Sequence, residues 1–373
     1  MTARHFDAIV AGAGPAGAAA ALVLARSGRT VFVANVRSQR RIRAGESFAA
    51  SATPLLASLG VLEQFKCATH LKSYNNISVW GSPLAQERDS IHDLNGCAYQ
   101  LDRDTFDTML VAAARDAGAN WHEDSRLRLV SGKAPNRFLL DLSTTNGSMQ
   151  LSCKWLLDAT GRASSLSRRL GARRHKLDRL VAFSALLVPR DGRDRDAGTI
   201  VEAVWNGWWH STLVPTGERL VSFFTDSDLA DLRELRAANG FMAALRRTSE
   251  ISRLVESLDY RCPDAPSGTE AATVWLDKQG GEGWLAIGDC AASFDPISAR
   301  GVASALHAGA EAARAVIDEL DGRTNAVSRH LLHQRLVFAN YLLQLREVYS
   351  WERRWPHSEF WSRRHLKSKE ETR

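Results

Sequence analysis

Near the start of the chain, six residues, Gly12-Ala13-Gly14-Pro15-Ala16-Gly17, sit between two apolar runs. Ala8-Ile9-Val10-Ala11 precedes them and the alanine-rich stretch Ala18 to Ala25 follows, which reads as strand, tight turn and helix. Gly12 permits the sharp turn out of the strand. Gly14 lets a pyrophosphate approach the backbone, and Gly17 with the alanines lets helix and sheet pack closely. The helix N-terminus offers free N–H groups and the positive end of its dipole. A second strand, Thr30 to Ala34, comes at the right distance. A glycine-rich turn without a ligand is the plainer alternative, but the strand, helix and second strand favour dinucleotide binding.

The 373 residues are enough for two joined domains. Hydrophobic content of 45% and charged content of 24% are those of a soluble globular protein. The chain lacks an apolar run of roughly 18 residues, which excludes a membrane span. A first strand near Phe6 leaves no room for a signal peptide. The 5 cysteines are widely spaced without a C-x-x-C pair, which predicts reduced thiols in a cytoplasmic protein and neither disulfides nor a metal site. The net charge of +6 comes from arginine clusters at Arg37 to Arg43, Arg162 to Lys176 and Arg353 to Lys367. No nucleic-acid motif accompanies them, so a pyrophosphate or an acidic protein partner is the better expectation.

Asn35 ends the second strand, where dinucleotide-binding folds usually carry an acid for the ribose; its amide can still hydrogen-bond a hydroxyl. Arg43 and Glu46 flank Gly45 just beyond and bring charge to the cofactor. His70 to Ser82 reads as a strand leaving the first domain. Asp102 or Asp104 caps a helix that begins around Arg103, and Ser125 to Cys153 reads as a β-meander. Leu156 to Arg162 is a buried strand and turn containing Asp158 and Gly161. Strands at Val181 to Val188, Thr199 to Trp205, Trp208 to Val214 and Leu220 to Thr225 predict an antiparallel sheet, and Ala230 to Leu258 is helical. The fold class is therefore α/β (α+β): a Rossmann-like domain over 1–66, 99–178 and 266–325, an inserted sheet domain over 67–98 and 179–265, and a helical segment over 326–373.

The stretch Trp284 to Val302 narrows the reading. A strand ends at Gly288-Asp289, and a loop with Pro296 leads to a helix from about Gly301 to Leu320. An aspartate at a strand end can accept hydrogen bonds from a ribityl chain. A helix starting at Gly301 can aim its N-terminus at an isoalloxazine. With Asp158-Ala159-Thr160-Gly161 between the two glycine stretches, the chain resembles FAD-dependent monooxygenases of the aromatic-hydroxylase fold. The resemblance implies FAD near Gly12, Gly14, Pro15, Ala16, Gly17, Asn35, Arg43, Arg103, Asp158, Gly161, Gly288, Asp289, Pro296, Gly301 and Val302.

Within that fold the sequence is similar to the flavoproteins that mature tryptophylquinone cofactors and to the related flavin-dependent halogenases. Gly45-Glu46-Ser47, Ser73 to Ser82, Leu101-Asp102-Arg103, Gly207 to Ser211, Phe294 to Ser298 and the tail from Arg353 to His365 carry the likeness. It implies hydroxylation of a tryptophan side chain in a protein or peptide through a flavin C4a-hydroperoxide. O2 is the oxidant, and NAD(P)H or a separate flavin reductase is the electron source. The candidate catalytic residues are Glu46, Lys72 and His210; Tyr74, Trp80, Trp208 and Ser298 are candidates for holding the substrate. Alternation puts Trp208, His210 and Thr212 on one face of their strand. Packing of the two tryptophans in the core, His210 as a satisfied edge residue, and a solvated Lys72 are the plainer alternatives.

Lys72 stands where halogenases carry a catalytic lysine, but Trp208 to Pro215 only approximates their W-x-W-x-x-P signature because the tryptophans are adjacent. Halogenation of an indole, pyrrole or phenol is one alternative, and a non-catalytic flavin-fold binding protein is another. The tail, with Trp351, Trp355 and Trp361 among arginines, reads either as a docking surface or as a helix packed back on the body.

Overall fold

A computed structural model describes residues 3–36, 42, 47–89, 95–134, 137–145, 147–190, 194–229 and 231–366. Its first layer is a parallel sheet. Trp284–Ala286, Gly147–Asp158, Arg4–Ala11, Val31–Ala34 and Asn120–His122 lie side by side in that order. The central strands are almost wholly apolar because helices cover one face and the meander Arg126–Ala134 and Arg137–Thr144 helps cover the other. Pro15–Arg26 and Gly301–Leu320 are the helices that matter most. They touch backbone to backbone: a Cβ added to Gly309 would lie 2.0 Å from the Ala16 carbonyl oxygen.

The second layer is a seven-stranded sheet in the order Ser267–Glu270, Leu180–Leu187, Arg219–Asp226, Gly207–Leu213, Thr199–Val204, Asn75–Val79 and Gln86–Asp89. All its pairings are antiparallel except Thr199–Val204 with Asn75–Val79. The strand expected over His70 to Ser82 is split between sheets. Leu71–Ser73 pairs with Ala98–Gln100 in a small sheet, and Asn75–Val79 joins the large one.

The helix expected from Ala230 to Leu258 is also broken, into Ala238–Leu245 and Glu250–Ser257. The cause lies across the fold. Glu202, buried on the sheet, accepts from Ser249 N–H, Ser249 Oγ at 2.8 Å, Glu250 N–H at 3.1 Å and Ile251 N–H at 3.3 Å. A strand carboxylate thus caps a helix that lacks a side-chain cap of its own.

The helices Ala326–Ser350 and Glu359–Leu366 close one face of the second sheet. Trp361 is fully buried and donates Nε1–H to Val204 O at 2.9 Å. Arg354 pairs with the buried Glu352, and Arg363 and Arg364 pair with the buried Asp226. Most of the tail's aromatic and basic residues are therefore spent within the fold, and Trp351 stays 56% exposed. Among the described residues, no helix is long and apolar enough to cross a membrane.

Glu202→Ala removes the acceptor while leaving several helix donors buried. It is expected to destabilise the protein by about 2–4 kcal/mol. Urea denaturation followed by tryptophan fluorescence measures this; an unchanged midpoint would show that the cap carries no stability.

Candidate cofactor site and active site

The three loop glycines have different surroundings. A Cβ on Gly12 would lie 2.3 Å from Ala159 O, and one on Gly17 would lie 2.0 Å from Gly12 O. Gly12 also has φ +105°, which favours glycine. A Cβ on Gly14 would meet nothing within 4 Å. Two glycines therefore pack the fold and the third faces open space. That space is a cleft of about 1300 Å³ bounded by the loop, Asn35, Ser125, Thr160, Gly161 and the basic residues Arg168, Arg169, Arg173 and Lys176. Pro15 opens the helix, and Ala16 packs its Cβ side against Gly288.

Asn35 braces the loop. Its Oδ1 accepts from Ala13 N–H at 3.3 Å and its backbone oxygen accepts from Ser125 N–H at 2.9 Å. The amide oxygen thus has a protein partner already, and the amide NH2 remains as the group an Asn offers a ribose. Asp158, named above as a cofactor residue, is placed differently. It is buried and accepts 5 hydrogen bonds: from Thr160 N–H (3.1 Å) and Oγ1 (2.6 Å), Leu166 N–H (3.0 Å), and Ser167 N–H (2.6 Å) and Oγ (2.8 Å). Its oxygens anchor the turn that carries Gly161 and the helix Ser165–Arg169, so it shapes the cleft from beneath.

Asp289 follows Gly288, whose φ of +59° turns the chain. Burial in its recess pushes the Asp289 carboxyl up, while Arg162 and Arg103 pull it down. Yet 43% of its side chain is open to the recess, 3.8 Å from Arg162 Nε. A carboxylate both flanked by cations and open to a groove is suited to accept hydroxyl donors. Arg103 is held on Asp107. Arg162 donates to Ala272 O at 2.7 Å and Phe294 O at 3.3 Å, tying this strand end to the loop before Pro296.

That loop holds a network the sequence did not disclose. Asp295 is buried and caps Ile297 N–H at 2.9 Å. Trp208 Nε1–H donates to the Tyr349 hydroxyl at 3.1 Å, which donates to Asp295 Oδ2 at 2.8 Å. Asp295 N–H donates to the Tyr341 hydroxyl at 2.7 Å, which also meets Thr273 Oγ1 at 3.2 Å. Burial and the nearby Asp178 push the Asp295 carboxyl up to about 6, against the pull of Ile297 N–H, Arg364 and Tyr349. Ala299 follows with φ +49°, and the helix starts at Gly301 with no side-chain cap and no atom within 4 Å of an added Cβ. Its first N–H groups are presented openly. The Val302 side chain belongs to the core.

Trp208 is 1% exposed, stacked on Phe224 at 3.9 Å between centroids. Trp80 packs edge-on against Trp208 and Trp361 and donates to Val348 O at 2.9 Å. Trp208 is core and the partly buried Trp80 packs against it, which corrects their assignment to substrate: both rings and both N–H groups already have partners. The Ser298 hydroxyl donates to Asp295 O at 2.9 Å and so helps shape the loop. Tyr74 is 48% exposed. Lys72 is exposed, with no ion pair to any described residue.

His210 differs from these. It shares a strand face with Trp208, which reaches the Asp295 loop, and is only half-buried. Burial, then the buried Arg219, pushes its imidazole down to about 4. It is neutral at pH 7 and makes no ring hydrogen bond among the described residues. Arg43 and Glu46 lie outside the described residues. No group of three or more His, Cys, Asp or Glu among the described residues is arranged to hold a metal.

A glycine cradle open only at Gly14, a recessed Asp289 between two arginines, and an uncapped helix N-terminus fit the pyrophosphate, ribityl and isoalloxazine parts of FAD. The fold agrees: a family model described as FAD binding domain matches residues 5–330. The chain belongs to that family and is an FAD-dependent oxidoreductase, an enzyme and not a mere binding protein. Over 365 residues it is 28% identical to the putative FAD-dependent oxidoreductase LodB of Marinomonas mediterranea, covering 97% of each chain. It is 24% identical to a 1H-pyrrole-2-carbonyl-[peptidyl-carrier protein] chlorinase of Pseudomonas fluorescens, over 85% of this chain and 77% of that one. Among solved structures, the myxobacterial chondrochloren halogenase CndH matches with a TM-score of 0.88 at 20% identity, covering 99% of this chain and 88% of that one. The peptidyl tryptophan dihydroxylase QhpG matches with a TM-score of 0.77 at 20% identity, covering 96% and 78%. At such identities the two structures establish the fold alone.

Gly14→Ala should leave the melting temperature of the FAD-free protein unchanged and weaken FAD binding about tenfold or more. Gly17→Ala should lower that melting temperature itself, because its Cβ meets backbone. Thermal melts paired with flavin-fluorescence titrations separate the two; equal behaviour of the variants would refute the division of roles.

Asp295 generates a pH dependence. Its folded pKa, about 6, exceeds the ordinary carboxyl value of about 3.9, so its stabilising contribution is full below about pH 4 and lost as pH rises through about 6. Asp295→Asn should remove about 1–3 kcal/mol of that pH-dependent loss. Melting temperatures of both proteins from pH 4 to pH 8 test this; parallel curves would exclude the assignment.

Proposed function

We propose that the protein is an FAD-dependent monooxygenase that hydroxylates an aromatic ring, most specifically a tryptophan side chain carried by a protein or peptide. The observation that carries this reading is His210, a neutral, half-buried imidazole on the strand face it shares with Trp208, whose ring bonds through Tyr349 into the Asp295 loop. Bound and reduced FAD supplies the chemistry that activates O2. NAD(P)H or a separate flavin reductase supplies the electrons, and a protein partner supplies the ring. The helix beginning at Gly301 favours negative charge at its N-terminus. His210 offers a nitrogen to accept a proton from an indole N–H or ring carbon, and its low pKa keeps that nitrogen available at neutral pH. The Trp208–Tyr349–Asp295 chain fixes the loop beside it, and the aromatic core around Trp208 and Phe224 helps exclude water. The similarity to LodB and the fold shared with QhpG support the reading, as does a net charge of +6 suited to an acidic partner.

Halogenation of an indole, pyrrole or phenol is the second reading, supported by the chlorinase relative and by the position of Lys72. A lysine that manages a reactive halogen species is best served by enclosed surroundings, and Lys72 is exposed.

Aerobic turnover with reduced FAD and tryptophan peptides, with and without chloride or bromide, tests both by intact mass. Gain of oxygen on tryptophan is the expected result, and a halogen-bearing product would replace the first reading by the second. His210→Phe should lower kcat by about 10²–10⁴ with FAD binding retained, whereas Lys72→Ala should leave hydroxylation nearly unchanged.

A further inference from the structure

An imidazole that accepts a ring proton must release it before the next turnover, and the sheet lays out a route from His210. Residues paired across neighbouring strands project from the same face. His210 pairs with Ser222 of Arg219–Asp226, Ser222 with Ser184 of Leu180–Leu187, and Ser184 with Ser267 of Ser267–Glu270. A histidine and three hydroxyls thus form one row across four adjacent strands, and the last strand is an edge of the sheet. Ser222 and Ser184 are buried, and their hydroxyls meet at 2.7 Å. Ser267 is exposed.

The hydroxyls are confined to the histidine's row. On one side of it the same two strands place Phe224 and Ala182 on this face, and on the other side Leu220 and Leu186. In the opposite direction from His210 the row meets Val201, which has no hydroxyl. Arg219 lies behind the sheet, bonded to Ser211, and as a permanent cation takes no proton. Two hydroxyls hold two protons, and the bond between Ser184 and Ser222 uses one. The other has no acceptor among the described residues. Opposite Cβ atoms in an antiparallel pair stand about 4.5–5.5 Å apart, so a turn of the His210 ring or a single water joins it to Ser222.

We infer that the Ser222–Ser184 pair carries the proton taken up by His210 to solvent at the Ser267 edge. Three transfers in series balance. The N–H bond on the His210 ring breaks as an O–H bond forms at Ser222; the proton Ser222 held passes to Ser184; the proton Ser184 held passes to water at the edge strand. Each hydroxyl ends with one proton and no electrons change hands. The two serines act through His210 and not on the substrate. The inference rests on His210 accepting a substrate proton, which replacement of a ring hydrogen by oxygen or by halogen releases alike.

The test uses the FAD-loaded full chain turning over a tryptophan peptide with O2. Ser184→Ala and Ser222→Ala should each lower kcat about tenfold or more and leave KM for the peptide within about twofold. The double variant should be no slower than the slower single one, because cutting a series path twice costs no more than cutting it once. The solvent deuterium isotope effect on kcat should rise in each alanine variant, and Ser222→Thr, which keeps the hydroxyl, should retain most of the rate. Circular dichroism and flavin absorbance confirm folding. If the buried variants do not fold, Ser267→Leu at the exposed edge obstructs the exit and should lower kcat with the same isotope signature. The relay is overturned by unchanged kcat in these variants, by losses that add in the double variant, by an effect on KM alone, or by a Ser222→Thr variant as slow as Ser222→Ala. A wild type that oxygenates or halogenates no tryptophan peptide, pyrrole or phenol overturns the proposed reaction and the relay with it, whereas an active wild type with unaffected variants overturns the relay alone.

Discussion

Backbone meets backbone at the centre of this protein, and the rest of the cofactor site is arranged around that contact. Gly17 lies against the carbonyl of Gly12, Gly12 against that of Ala159, and Gly309 against that of Ala16. Three segments far apart in sequence are thereby held too close for any side chain between them. Packing this tight permits little adjustment. The loop consequently has one shape, and its single open position, Gly14, is the one that faces the cleft. Asp158 makes the same point with polar groups. A buried carboxylate saturated by five protein donors fixes the turn at Gly161 as firmly as packing fixes the glycines.

The cofactor half was legible in the sequence because its determinants are local. Strand, glycine loop and helix are consecutive, and the second motif, from Trp284 to Gly301, is short and contiguous as well. Local pattern also found the face shared by Trp208 and His210, since alternation along a strand needs no knowledge of neighbours. It left open what that face touches. Trp208 proved to be stacked on Phe224 and bonded to Tyr349, 141 positions away. A side chain's partner across the fold decides whether an aromatic residue is core or ligand, and periodicity carries no information about it.

The remaining misses have the same cause. Glu202 caps a helix that begins 48 residues later, so the break in the span from Ala230 to Leu258 has no local signal strong enough to find it. Tyr341 and Tyr349 converge on Asp295 only because the long helix crosses the flavin-side loop. Their separation of about two turns on one helix was the available hint. Asn35 looked like a weakened ribose contact when counted from Gly12. In the fold its oxygen supports the glycine loop itself, which an acid could also do, but without leaving an NH2 toward the cleft.

Arginine content illustrates why composition bounds function without choosing it. The clusters that give the chain its net charge of +6 have separate tasks. Arg363 and Arg364 neutralise the buried Asp226 and contribute to the internal fit of the tail. Arg162 links Asp289 to the loop that precedes the isoalloxazine side. Arg168, Arg169 and Arg173 line the cofactor cleft, where phosphate charge would meet them. A surface reading from net charge alone would have suggested a polyanion. The fold instead gives part of that charge to buried carboxylates and part to the cofactor cleft. Which of these tasks an arginine takes is a property of packing and not of the number of arginines.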